Sequence, residues 1–226
     1  MLNYKIFRCN PLQENAAVLW DDSLQGALLD PGCLGRREVD EITQFIDSKG
    51  IKPQLILLTH AHFDHIYGVA PLAAKYGIGV YMHPSDKVIL SRQQLFAAAF
   101  GLPAPESDFR TIDVYEGNIV SFGSISFTVI ETPGHTPGGV CYYSRESQML
   151  LSGDTLFAGS IGRTDHPGGD YDKEIVSIMD KLMGLDGDTV VLPGHGPTTD
   201  IGYERTHNPF LQPFNEPWEF EENGGE

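Results

Sequence analysis

The sequence predicts an α/β protein in which two β-rich halves pack face to face with helices on the outside. Three observations carry that expectation. Short apolar runs punctuated by Gly, Pro and Asp form two series, helical periodicity sits between and after them, and 226 residues suffice for one domain with a buried core. Residues 4–9, 16–20 and 27–29 read as an opening strand meander, broken by Pro11 and by Asp21-Asp22 and stopped by Asp30-Pro31-Gly32. Residues 38–49 are predicted helical, since Val39, Ile42, Phe45 and Ile46 share one face and Gly50 follows as a stop. The apolar strand 54–58 runs straight into Thr59-His60, a helix spans 66–76 up to Gly77, and 78–82 is the next strand. One helix is expected over 85–101 and a Pro-containing loop over 102–107. The second strand series covers 118–122, 125–130, 139–143 and 149–151, followed by a helix over 171–183 and a short strand at 189–192. The folded domain is expected over 1–212, and an acidic tail with Glu216, Glu219, Glu221, Glu222 and Glu226 over 213–226.

A formal charge of −16 would repel a phosphate backbone, so a nucleic-acid partner is not expected. No apolar run is long enough to span a bilayer, and Met1-Leu2-Asn3-Tyr4-Lys5-Ile6-Phe7-Arg8 lacks the apolar stretch of a signal peptide, so a cytoplasmic location is expected. Cys9, Cys33 and Cys141 are far apart in sequence and form no CxxC pair, which reads as reduced, buried thiols.

The most informative segment is Thr59-His60-Ala61-His62-Phe63-Asp64-His65. At an extended strand end His60 and His62 project to the same side, while Asp64 and His65 fall where the chain turns into a helix and approach from another direction. With 8 His and 17 Asp in the chain, a chance HxHxDH has a probability on the order of one in a thousand. Three further positions share the pattern of a Gly-containing turn directly after an apolar strand: His135 in Pro133-Gly134-His135, Asp154 in Gly153-Asp154-Thr155, and His195 in Pro193-Gly194-His195-Gly196. Five His and two Asp without a thiolate suit Zn²⁺, Fe or Mn²⁺. Seven ligands exceed one tetrahedral site, and they divide between two metals if one carboxylate is shared. Two cations acting on one water give a nucleophile near neutral pH, which is hydrolytic chemistry.

At these residues the sequence resembles the metallo-β-lactamase superfamily over nearly the whole chain, and the resemblance implies a single-domain αββα four-layer sandwich. It further implies a first metal on His60, His62 and His135, a second on Asp64, His65 and His195, and Asp154 between them. A bridging hydroxide, oriented by Asp64, would attack a carbonyl carbon. Asp154-Thr155-Leu156-Phe157, Gly162-Arg163-Thr164-Asp165, Glu204-Arg205 and Asn208-Pro209-Phe210-Leu211 look like the small glyoxalase II-like thioesterases, which implies a substrate such as S-lactoylglutathione. His65 after Asp64, with no ligand cysteine, points away from a typical β-lactamase.

Longer members of that subgroup carry a basic C-terminal segment that holds glutathione, whereas this chain ends in acidic residues. Arg163 is the leading candidate for a substrate carboxylate contact, with Tyr171, Lys173 and Arg205 behind it. A mononuclear-iron persulfide dioxygenase shares the His cluster, but Pro193-Gly194-His195-Gly196 has the hydrolase form; lactone hydrolysis needs the same attacking oxygen. His83 reads as a strand-end residue, His166 as a loop residue ahead of one facing the site mouth, and His207 as structural, while Phe96 and Phe100, at helical spacing, read as core ahead of a lid against the cleft.

Overall fold

The protein's fold is given by a computed structural model that describes residues 1–212; the expected acidic tail, 213–226, lies outside the described residues. Strands β1 (Asn3–Cys9), β2 (Glu14–Trp20) and β3 (Gln25–Leu29) form an antiparallel meander. Helix α1 (Gly35–Lys49) crosses to β4 (Lys52–Leu57), which pairs parallel with β3. Its C-cap is Gly50 at φ 71, a left-handed conformation that glycine adopts without a Cβ clash. Two helices, α2 (Phe63–Ile66) and α3 (Val69–Tyr76), lead to β5 (Gly79–Met82). A 3₁₀ turn at Pro84–Asp86 is followed by α4 (Lys87–Leu90), α5 (Gln93–Ala99) and β6 (Thr111–Asp113), which completes a six-stranded sheet in chain order.

The second half adds β7 (Ile119–Phe122), β8 (Ile125–Glu131), β9 (Val140–Ser144), β10 (Met149–Gly153) and the hairpin β11 (Leu156–Phe157) with β12 (Ser160–Ile161). Helix α6 (Tyr171–Ser177) continues into a π-helical turn at Ile178–Leu182, and β13 (Val190–Pro193), β14 (Thr199–Asp200) and α7 (Ile201–His207) close the fold. The second sheet runs in the order β14-β13-β10-β9-β8-β7.

Strand alternation builds the layers. Leu55 and Leu57 of β4 face inward with Ala17, Leu19, Phe122, Phe127 and Tyr142, forming the core between the sheets. Ile56 and Leu58 point the other way and pack with Ile42, Ile46 and Leu72 of the flanking helices. On the far side, Leu150 and Val191 pack with Ile175, Leu182 and Ile201. The result is helix, sheet, sheet, helix, the four-layer sandwich that the resemblance implied. The three cysteines are free and buried, and no helix among the described residues is long and apolar enough to cross a membrane.

Two predicted helices are divided. The 85–101 segment breaks at Ser91-Arg92 because its polar residues turn inward: Asp86 and Gln93 are buried, and Gln93 Nε2 donates to the carbonyls of Ala61 and Ile89. The 66–76 segment begins earlier, at Phe63, and is interrupted at Gly68, whose amide donates to Pro31 O at 2.7 Å. The strands β6, β11, β12 and β14, of two or three residues, are too short to leave a periodic signal, and they were not foreseen.

Candidate metal centre

Strand polarity brings the predicted ligands to one edge. In the second sheet β8 is antiparallel to β9, β9 to β10, and β10 parallel to β13, so β8, β10 and β13 all end on the same side. His135, Asp154 and His195 follow those ends. Across the sandwich the end of β4 delivers Thr59 and His60, and the Val140 amide donates to Thr59 O at 2.9 Å, fixing the two edges together. The turn Pro193–Gly196 is held from β2: Asn15 N donates to Gly194 O at 2.7 Å, and Asn15 Nδ2 donates to Pro193 O and Gly196 O at 3.0 and 2.9 Å. Glycine is required at 194 because a Cβ there would collide with Asp154 Oδ1 and with His65 Cε1.

All seven predicted residues converge. Ligand atoms of His60, His62 and His135 lie within 4.8 Å of one another, and those of Asp64, His65 and His195 form a second such group. Asp154 stands between the groups. Its Oδ2 is 3.5 Å from His135 Nε2 and 3.7 Å from His195 Nε2, and its Oδ1 is 3.4 Å from His65 Nε2.

Hydrogen bonds at the back of the rings decide which nitrogens face the centre. Thr59 Oγ1 donates its proton to Asp30 Oδ2 at 2.5 Å, so it accepts from His60 Nδ1 at 3.1 Å. His65 Nδ1 faces Asp30 Oδ2 at 3.1 Å, His135 Nδ1 faces Arg163 O at 2.8 Å, and His195 Nδ1 faces Leu12 O at 3.1 Å, all acceptors. Each of these four rings therefore turns its Nε2 toward the centre, the arrangement that metal-binding imidazoles use. His62 presents Nδ1 instead, 2.9 Å from His135 Nε2. His60 Nε2, His65 Nε2 and Asp154 Oδ1 are buried with no hydrogen-bond partner, a costly arrangement unless a cation takes their lone pairs. This donor set fits divalent metal ions.

Further carboxyls, none of them foreseen, brace the ligand loops. Asp30 serves both Thr59 and His65, and Glu174 Oε2 accepts the His135 amide at 2.7 Å. Glu14 lies fully buried behind His65, with its Oε1 4.0 Å from Nδ1. Burial holds the Glu14 carboxyl well above the usual range and pushes Glu174 up to about 8. Within the centre, burial and neighbouring imidazoles depress His60 and His62, which stay neutral. Burial acts the same way on His65, but Asp154 and Asp64 outweigh it and raise its pKa. Burial likewise opposes Asp154, yet His65 keeps that carboxyl well below its ordinary value.

A cavity of about 330 Å³ opens onto the centre, lined by Leu12, Phe63, Phe96, Phe100 and Phe157 together with Arg163 and His166. Phe96 thus walls the cavity as well as packing on the core, whereas Phe100 walls the cavity beside Phe63 and is exposed, not core. His166, read from sequence as a loop residue, sits with its ring 4.9 Å from those of His62 and His135. Of the predicted substrate contacts only Arg163 lines the cavity, and its guanidinium is paired with Asp165 at 3.0 and 3.3 Å. Tyr171, Lys173 and Arg205 are not on its wall: Lys173 pairs with Asp170 at its own helix start, and Arg205 Nη2 donates to Leu185 O at 2.6 Å.

Residues 9–195 match the model of the metallo-beta-lactamase superfamily. The chain belongs to that superfamily. A superfamily relative named hydroxyacylglutathione hydrolase GloC, from Haemophilus influenzae, is 35% identical over 93% of this chain and 98% of its own length. The crystal structure of BLEG-1 B3 metallo-beta-lactamase superposes with a TM-score of 0.84 at 36% identity, covering 92% of this chain and 99% of that one. The structure of TTHA1623 in a di-iron-bound form gives a TM-score of 0.82 at 40% identity, covering 92% and 100%. Metallo-hydrolase chemistry is therefore the superfamily framework in which the His/Asp centre stands.

Proposed function

We propose that the protein is a two-metal thioesterase of the hydroxyacylglutathione hydrolase type, with S-lactoylglutathione or a related hydroxyacyl thioester as its substrate. The observation that carries this reading is the pair of donor groups joined by Asp154, with a ring nitrogen of each histidine turned inward. His60, His62 and His135 would hold one ion, Asp64, His65 and His195 the other, and Asp154 both. Zinc is the first choice for these donors, with iron or manganese suited to the same set. When bound, two such cations lower the pKa of water and polarise a carbonyl.

The chain's own residues supply the rest. Asp64 accepts a hydrogen bond from the attacking water and so aims it at the carbonyl carbon. The phenylalanine wall keeps bulk water away from the reacting bond. A thiol of pKa about 8.5 leaves readily as thiolate, so the step needs no strong acid at the sulfur. Water's hydroxyl ends on the acyl carbon and its proton returns to the thiolate, giving a hydroxy acid and a free thiol. The likeness to GloC supports this choice of substrate, and buried free thiols fit a reducing, cytoplasmic compartment.

Metal analysis paired with an S-lactoylglutathione hydrolysis assay tests the reading. About two metals per chain are expected, with hydrolysis greatly reduced in Asp64→Ala and in Asp154→Ala. Full activity in both variants refutes the roles. The BLEG-1 likeness makes a β-lactam the second substrate to assay, and hydrolysis of the β-lactam alone would replace the thioester reading.

A further inference from the structure

We infer that this site selects thioesters with an apolar, aromatic-sized acyl group on an uncharged thiol, in preference to S-lactoylglutathione. The inference rests on the thioesterase reading and narrows its substrate class.

Aromatic surface flanks the centre on both sides. Phe96 packs edge-on against His62 of the first donor group at 5.6 Å between ring centroids, and Phe157 packs against His195 of the second at 6.4 Å. Phe63 and Phe100, 5.3 Å apart, wall the cavity beside them. A carbonyl placed at the centre has two substituents, and these would leave it along a wall in which four of the lining residues are phenylalanines. A phenyl or branched alkyl group gains there by leaving water, whereas the methyl and hydroxyl of a lactoyl group cover little of the wall.

Charge points the same way. Glutathione brings two carboxylates and one ammonium, a net anion, and among the described residues the cavity wall offers one permanent cation, Arg163. That guanidinium already makes a two-point contact with Asp165. The net charge of −16 works against a second anionic group approaching from solvent. A cavity of about 330 Å³ is also near the lower end of ligand sites, roughly 300–1,000 Å³, which suits a compact acyl group better than a long tripeptide.

The test is a matched set of four thioesters, lactoyl and mandeloyl, each on glutathione and on N-acetylcysteamine, assayed with the zinc-loaded full chain. Mandeloyl-N-acetylcysteamine is expected to give the highest kcat/KM, about tenfold or more above S-lactoylglutathione, with the difference mainly in KM. Phe100 is exposed, so Phe100→Ala should fold, and it is expected to cut the mandeloyl-to-lactoyl ratio about fivefold or more. S-(2-phenylethyl)-N-acetylcysteamine, a thioether that cannot be hydrolysed, should bind the wild type more tightly than it binds Phe100→Ala. S-lactoylglutathione as the best of the four, or a mandeloyl-to-lactoyl ratio unmoved in Phe100→Ala, overturns the inference while leaving the thioesterase reading intact. Hydrolysis of none of the four by the metal-loaded chain overturns both.

Discussion

The Asp86 carboxylate accepts the Ala61 amide at 2.8 Å, setting a buried anion against the residue between His60 and His62. It also accepts Thr136 Oγ1 at 3.0 Å and the Gly138 amide at 2.6 Å, on the turn that carries His135. One side chain thereby sets the distance between the His60-His62 strand end and the His135 turn. Asp86→Ala strands buried donors, and stability is expected to fall by roughly 2–4 kcal/mol. Zinc affinity of the first donor group should weaken by about 10–100-fold, as for other residues that orient ligands. Urea unfolding and chelator competition read the two effects separately; native zinc affinity in the folded variant would remove Asp86 from the centre's support.

Asp154 touches both donor groups, so its loss is expected to be felt by both ions. Asp154→Ala should bind one metal or fewer per chain, measured by elemental analysis after gel filtration. If the lost charge stabilisation is about 4 kcal/mol, thioester hydrolysis drops roughly a thousandfold. Two retained metals in that variant would contradict a shared carboxylate.

The two donor groups differ in the protons that a cation must displace. Burial and neighbouring imidazoles lower His60 and His62, so the first group is already neutral at pH 7. In the metal-free protein, carboxylates outweigh burial and raise His65 and His195, so those rings keep their second proton to higher pH than an ordinary imidazole does. Lowering the pH from 8 to 6 should weaken the second group by about tenfold per pH unit for each proton displaced, while the first changes little. Calorimetric zinc titrations in buffers of different ionisation heat measure the protons released. Equal release from both groups is the contrary result.

Glu174 offers a stability test away from turnover. Burial pushes its carboxyl from 4.5 up to about 8, so it is protonated in the folded protein and ionised in the unfolded chain across that interval. Unfolding then releases a proton, and stability is expected to fall as pH rises from about 4.5 to about 8, on the order of 1 kcal/mol per pH unit. Glu174→Gln keeps a carbonyl acceptor for the His135 amide and removes the titration. Its Tm measured from pH 6 to pH 8 should decline less than that of the wild type, and parallel declines would show that Glu174 does not titrate there.

Much of the centre was legible because its signal is local. His60, His62, Asp64 and His65 fall within six consecutive residues, and the other three ligands each follow an apolar strand on a glycine-bearing turn. The helices that broke were misread for the opposite reason: Asp86 and Gln93 sit in a helical pattern, yet their side chains answer to Ala61, Thr136 and Gly138, far away in sequence. The supporting carboxyls Glu14, Asp30 and Glu174 gave no signal, and His166 only a weak one, since each matters through a neighbour in space and not through its own spacing. Lys173 and Arg205, candidate substrate contacts by sequence, are claimed by local ion pairing and by a backbone acceptor.

The sequence by itself determined the alternation of strand faces, the glycine stops and the inventory of metal-ligating atoms, because these depend on residue type and short spacing. Only the tertiary structure decided which nitrogen each ring turns inward, that Asp154 stands between two groups, and that phenylalanines flank both. Those are mostly relations between residues distant in sequence, such as His65 with Asp30, 35 apart, and His195 with Leu12, 183 apart, and they are set by sheet packing, which no local pattern encodes.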